Sequence, residues 1–167
     1  MHNAVRIEVG KWYQDNKQHL DTIKIAELGS YDINGSVKDI IPNTIGFDIL
    51  EGKGVDVKIT PGIIPDVYKN IFGAVITVNS FQFCPKPIEY KKQILDLLKP
   101  EGLLILTMCP DSCNPGHSTS PNEYKFRDSI RMSKNKLREF WEDEFNNIKI
   151  FENNEEHATL ILTAVKK

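Results

Sequence analysis

The sequence has little of what would tie it to a secreted, membrane-bound or nucleic-acid-binding class. Only three cysteines occur, Cys84, Cys109 and Cys113, an odd number without paired spacing, which excludes a disulfide framework. Cys109 and Cys113 would offer two metal ligands, but no second pair completes a site, so no metal is expected. No stretch approaches the roughly 20 apolar residues of a membrane span. The start, "MHNAVRIEVGKWYQ", has neither the basic head nor the apolar run of a signal peptide. A soluble, cytoplasmic protein with no membrane partner is expected. The lysines are scattered through a chain of net charge −2, so there is no clear nucleic-acid signal. Internal repeats and low-complexity tracts are missing as well.

What is there is an ordinary globular composition. The 167 residues, 40% hydrophobic and 26% charged, suffice for one core and hardly for two, so a single domain over 1–167 is expected.

Hydrophobic periodicity sets out the elements. From Asn3 to Leu20, Val5, Val9, Trp12 and Tyr13 form a helical stripe weakened by Gly10, which makes 1–22 an N-terminal helical segment. Apolar runs at Ile23–Leu28 and Thr44–Ile49 read as buried strands. Between them Ser36 and Asp39 resemble a capping box, and Pro42 limits that helix to one or two turns. "GVDVKI" at Gly54–Ile59 and the β-branched "GAVITV" at Gly73–Val78 are the next strands.

Pro87 suits a helix start, and Ile88, Ile94, Leu95 and Leu98 carry its apolar face until "KPEG" ends it at Lys99–Gly102. "LLILTM" at Leu103–Met108 is a fifth strand. "SKNKLREFWEDEF" places Leu137, Phe140, Trp141 and Phe145 on one helical face behind a Ser133 cap. "IKIF" and "ATLILTAV" then follow closely enough to pair antiparallel. The expected fold is α/β, an open, mostly parallel seven-stranded Rossmann-like sheet with helices on both faces and an antiparallel last strand. A ligand then belongs at the carboxyl ends of the strands.

The first strand breaks into a loop, "ELGSYDINGSV", at Glu27–Val37. Gly29 sits where the turn must be tight. A dinucleotide fingerprint needs further glycines where this chain has Tyr31 and Asn34, and Asp32 adds negative charge where a phosphate would bind. Asp48, about 20 residues after Gly29, ends the second strand and suits two ribose hydroxyls. An acidic loop with a ribose-binding acid fits an adenosyl cofactor without phosphates, of which S-adenosylmethionine is the common one.

Here the chain resembles the class I S-adenosylmethionine-dependent methyltransferases, in particular small type 11-like members written "EIGSxDVNGSV". The resemblance is carried by "ELGSYDINGSV", "IGFDILEGKGVDV" at Ile45–Val57 and "ILDLLKPEGLLILT" at Ile94–Thr107, with a weaker match in "NEYKFRDSIRMSKNKLREFWEDEF". It implies that Glu27, Gly29 and Ser30 lie along the methionine part of the cofactor and that Asp48 holds the ribose. Two positions depart from the pattern: Thr60 stands where an acid often meets adenine, and Gln82–Phe83 where Glu-His often follows strand four.

Methyl transfer is an in-line displacement in which positioning can suffice, so a general base is optional. His117, in the long 109–132 segment after strand five, has a pKa suited to that role, or is an exposed loop histidine. Asp111, Glu123, Tyr124 and Arg127 share this substrate-side segment, and Asn79 after strand four is positioned for the cofactor. Trp12 and Tyr13 either close over the ligand as a lid or pack in the core. Asp32 and Asn34 either contact the cofactor or, the favoured reading, bond local turn backbone, and Asp56 either faces the ligand or lies in solvent at a strand edge. "VNSFQF" and "CP" do not match the motifs of base methylation.

The leading expectation is a methyltransferase for a small-molecule or glycan-like acceptor. The alternatives are a catalytically inactive binding or partner subunit of the same fold, motivated by Thr60 and Phe83, and an NAD-dependent oxidoreductase, which the missing glycines weaken.

Overall fold

The computed structural model describes residues 1–112, 130–154 and 158–167. Seven strands form one sheet in the order β3-β2-β1-β4-β5-β7-β6. They are β1 (Ile25–Leu28), β2 (Thr44–Asp48), β3 (Val57–Lys58), β4 (Phe72–Val78), β5 (Leu98–Met108), β6 (Phe145–Asn153) and β7 (Thr159–Lys166). β1 to β5 pair in parallel, and β7 runs antiparallel to both β5 and β6. This is the mixed, mostly parallel sheet that the alternation of elements predicts.

Helices cover both faces. On one, α1 (Asn3–Asp15) and α2 (Lys17–Leu20) bury Val5, Val9, Tyr13 and Leu20 against Ile25, Ala74, Ile76, Ile105 and Ile161. On the other, α3 (Pro87–Leu97) and α4 (Lys134–Trp141) pack Tyr90, Ile94, Leu137 and Trp141 over Leu28, Val75, Leu104, Leu106 and Leu162. Alternate residues of each strand thus enter opposite cores, which is why the central strands read as unbroken apolar runs. Among the described residues, no helix is long and apolar enough to cross a membrane.

Several boundaries depart from the sequence reading. The N-terminal helix breaks at Asn16, whose side-chain amide donates to the Trp12 carbonyl (2.8 Å) and closes α1. The capping box at Ser36 and Asp39 is formed, but it caps only a 3₁₀ turn, Val37–Asp39. β3 shrinks to two residues, because Asp56 is bonded to Gly46 through its side chain as well as its backbone.

β5 starts at Leu98, which pairs with Phe72, and "KPEG" is a bend inside it, with Glu101 at φ +61°. α4 ends at Trp141, and Phe145 opens β6 opposite Lys166. Trp141 and Phe145 still meet edge to face at 5.5 Å, so strand backbone satisfies the burial that suggested a longer helix.

Candidate functional site

From β1 the chain builds β2 and β3 outward, then returns to lay β4 on the other side of β1. The strand order therefore reverses between β1 and β4, and such a reversal leaves a ligand crevice at the carboxyl ends of the strands. Two turns face each other there, Gly29–Ser30 after β1 and Asn79–Ser80 after β4.

Gly29 has φ +83°, and a Cβ on it would overlap Ser80 Oγ. Only glycine satisfies both the left-handed backbone and this close approach. The space is filled by the protein's own hydroxyls: the Ser80 and Tyr90 hydroxyls both reach the Leu28 carbonyl, at 3.2 and 3.0 Å. Thr77 Oγ1 lies 2.6 Å from the Tyr90 oxygen and 3.0 Å from Ser80 Oγ, and the Ser80 and Tyr90 hydroxyls touch each other. Burial holds the Tyr90 phenol well above its usual pKa. Sequence reasoning missed this cluster, because a tyrosine on a helix's apolar face and two hydroxyls beside a strand carry no signature of mutual contact.

The end of β1 is different. Glu27 is 5% exposed, yet its Oε2 has no hydrogen-bond partner. Burial is the main cause that raises its pKa, which comes to about 8 against the ordinary 4.5 once the surrounding charges have acted as well. Within that total Lys38 pulls the pKa down, Asp48 and Asp32 push it up, and the Met1 ammonium pulls it down. Ser30 is 2% exposed, and its Oγ is unpartnered too. That oxygen lies 2.6 Å from where a Cβ on Gly46 would stand, and Gly46 is the β2 register partner of Glu27. Each such oxygen costs about 1–3 kcal/mol while it remains unpaired.

Asp48 ends β2 as expected. Its two carboxylate oxygens accept the Tyr31 amide (3.0 Å) and the Leu50 amide (2.9 Å), which ties the β1 loop to β2. Burial raises its pKa, against those amide bonds. Each oxygen retains a lone pair for a further donor. Beside it lies a groove of about 210 Å³ lined by Tyr31, Ile49, Leu50, Glu51 and Lys58.

The remaining loop polar groups hold the loop itself. Asp32 accepts the Gly35 amide (2.7 Å) and pairs with Lys53 (2.6 Å), which keeps its carboxyl below the usual range. Asp56 is exposed, as its solvent-facing reading has it, and it also accepts the Gly46 amide (2.7 Å) and pairs with Lys38.

Asn79, at φ +49°, is stitched to β5. Its amide donates to the Thr107 carbonyl (3.0 Å), and its side-chain oxygen accepts the Thr107 hydroxyl (3.0 Å). Asp111 is exposed in the turn after β5, with its amide donating to Met132 (3.2 Å). His117, Glu123, Tyr124 and Arg127 lie outside the described residues. Tyr13 lines a small cavity with Ile25, Pro42 and Asn43 at the amino ends of the strands, and Trp12 packs on the same core. This packing matches the core alternative for the two aromatics.

Of the two departures from the resembled pattern, Gln82 is bonded within the chain through its side chain, whereas Thr60 is exposed and is bonded only through its backbone. The Thr60 carbonyl accepts the Gln93 side chain (3.1 Å), and Gln82 is bonded to the Cys109 amide (2.8 Å) and, through its backbone, to Ile130 (3.0 Å). Among the described residues, no cluster of three or more histidine, cysteine or acidic side chains is arranged to hold a metal.

No protein-family model matches the chain, and no curated protein matches it. Solved structures do. The CurJ carbon methyltransferase aligns with a TM-score of 0.69 at 12% identity over 98% of this chain, which spans only 55% of that one. The 1,6-didemethyltoxoflavin-N1-methyltransferase of Burkholderia thailandensis, with 1,6-didemethyltoxoflavin and S-adenosylhomocysteine bound, aligns at 0.69 and 13% identity, over 99% of this chain and 79% of its own. An S-adenosylmethionine-dependent methyltransferase of Thermotoga maritima, described as a possible histamine N-methyltransferase, gives 0.64 at 18% identity, over 95% and 92%. The likeness establishes the fold: this chain has the Rossmann-like fold of the class I S-adenosylmethionine-dependent methyltransferases.

Proposed function

We propose that the chain binds S-adenosylmethionine at the reversal point and transfers its methyl group to a small-molecule acceptor, glycan-like acceptors included. The observation that carries this reading is the pair of buried, unpartnered oxygens, Glu27 Oε2 and Ser30 Oγ, at the end of β1. A fold of this size leaves few buried oxygens unpaired, and two at one strand end mark a place where a ligand completes the hydrogen bonding. The methyltransferase with bound S-adenosylhomocysteine lends support, because it shares this fold.

In this reading Glu27 and Ser30 meet the amino-acid end of the ligand, and the Gly29 turn lies along it. Asp48 offers its remaining lone pairs to the ribose hydroxyls, and Asn79 borders the opposite wall. The adenosyl ring system would use the groove of Tyr31, Ile49 and Leu50. The cofactor supplies an activated methyl group; the chain orients an acceptor lone pair in line with it. His117 is the proposed base for acceptors that must lose a proton, with Asp111, Glu123, Tyr124 and Arg127 shaping the acceptor side.

A thermal-shift series with S-adenosylmethionine, S-adenosylhomocysteine and NAD tests the reading. The first two are expected to raise the melting temperature and NAD to leave it unchanged, since only selective binding to the folded state stabilises. Asp48→Asn is expected to weaken S-adenosylhomocysteine binding by about 1–3 kcal/mol, because a ribose hydroxyl loses its charged acceptor. Unchanged affinity in that variant overturns the role of Asp48.

A second reading, a non-catalytic binding unit of this fold, is favoured by Gln82, whose side-chain oxygen is taken up by the Cys109 amide rather than offered to a ligand. Binding of the cofactor without methyl transfer to any of a panel of small hydroxyl, amine and carbon acceptors would select it.

A further inference from the structure

The nearest charges to Glu27 are all committed elsewhere. On the Val37–Asp39 turn, Lys38 pairs with Asp56, and the Met1 ammonium donates to the Asn34 carbonyl at 2.6 Å. Asp32 in the loop pairs with Lys53, and Asp48 on β2 is held by the Tyr31 and Leu50 amides. Among the described residues no cation is hydrogen-bonded to the buried Oε2, and the carboxylates of Asp48 and Asp32 act on Glu27. While empty, the niche favours a neutral carboxyl, and a cation arriving with the ligand would favour the carboxylate.

Resting on the function proposed above, we propose that ligand binding at this niche is coupled to loss of a proton from Glu27. The ligand ammonium settles beside Oε2, the carboxyl O–H bond breaks, and its proton passes to solvent. The complex then holds an ammonium–carboxylate pair, and one proton is released for each ligand bound. The sign follows from the free state: Glu27 keeps its proton up to about pH 8, and the ammonium partner lowers that value in the complex. Affinity therefore rises with pH until the free protein is already deprotonated, then levels off.

Calorimetric titration of the full chain from pH 6 to 9 tests this with two probes. S-adenosylhomocysteine carries the ammonium; 5′-methylthioadenosine has the same nucleoside thioether without it. The S-adenosylhomocysteine Kd is expected to tighten about tenfold per pH unit from 6 to 8 and then flatten. Two buffers of different ionisation enthalpy at pH 7 should report close to one proton released. For methylthioadenosine the Kd should stay flat, with no proton released. Glu27→Gln should abolish the slope for S-adenosylhomocysteine.

A flat Kd for S-adenosylhomocysteine in the unaltered protein, or an equal slope for both probes, overturns the coupling while leaving the adenosyl-ligand reading intact. Failure of both probes to bind at pH 8.5 overturns that reading itself, and the coupling with it. The comparison of the two probes needs no variant, so it decides even where Glu27→Gln folds poorly.

Discussion

At the end of β4, Thr77, Ser80 and Tyr90 bond to one another and to the Leu28 carbonyl, whereas at the end of β1, Glu27 and Ser30 each keep a buried oxygen with no partner. The two strand ends are neighbours in the sheet and both are rich in oxygen, yet one closes on itself and the other does not. Buried polarity that is complete within the chain is scaffold, and it sets the spacing of the two turns. Buried polarity left open is a cost, and at the end of β1 a ligand would relieve it.

The largest effect that can break this contrast comes from Gly29→Ala. A methyl group there would overlap Ser80 and force a left-handed φ on alanine, so a loss of about 2–5 kcal/mol is expected in urea unfolding. Adding Ser80→Gly should recover about half of it, because the overlap disappears and the backbone strain remains. No recovery in the double variant would mean that Ser80 is not what occupies the space.

The next effect concerns pH. Glu27 is protonated up to about 8 in the folded, ligand-free protein but only up to about 4.5 once unfolded. The folded state binds more protons between those values, so this group's contribution is fully present below pH 4.5 and is lost as pH rises through 8. Stability of the ligand-free protein should fall by at most about 1.4 kcal/mol per pH unit across that window. Burial raises the pKa of Asp48 as well, so its contribution has the same sign. Glu27→Gln should remove most of the decline and exceed the unaltered protein in stability at pH 8.5. An undiminished decline in that variant would assign the pH response to Asp48 or to another group.

The smallest effect sharpens the contrast. Tyr90→Phe removes the hydroxyl shared by Thr77, Ser80 and Leu28 and should cost about 1–3 kcal/mol of stability. The Kd for S-adenosylhomocysteine should change less than threefold. A large loss of affinity at unchanged stability would make the β4 cluster part of the ligand site rather than its frame.

Much of this was legible in the chain. Alternation of apolar runs and amphipathic stretches fixes seven strands and two helical faces, because a sheet buried on both sides demands continuous hydrophobicity in its strands. Gly29 and Asp48 were legible for a similar reason: a tight turn and a strand-end acid have few other uses at that spacing. The division of labour among loop acids was not legible. Asp32 and Asp56 look as available as Glu27 and Asp48 in "ELGSYDING" and "EGKGVDV", and only folding shows the first two consumed by Lys53, Lys38 and backbone amides.

By itself, then, the sequence determined the architecture and the tight turn after the first strand, since both follow from local periodicity and turn chemistry. Tertiary structure alone decided which oxygens find partners. Hydrogen bonds between residues as distant as Leu28 and Tyr90, or the lack of one at Glu27 Oε2 among the described residues, depend on where separate elements come to rest, and no local pattern encodes that.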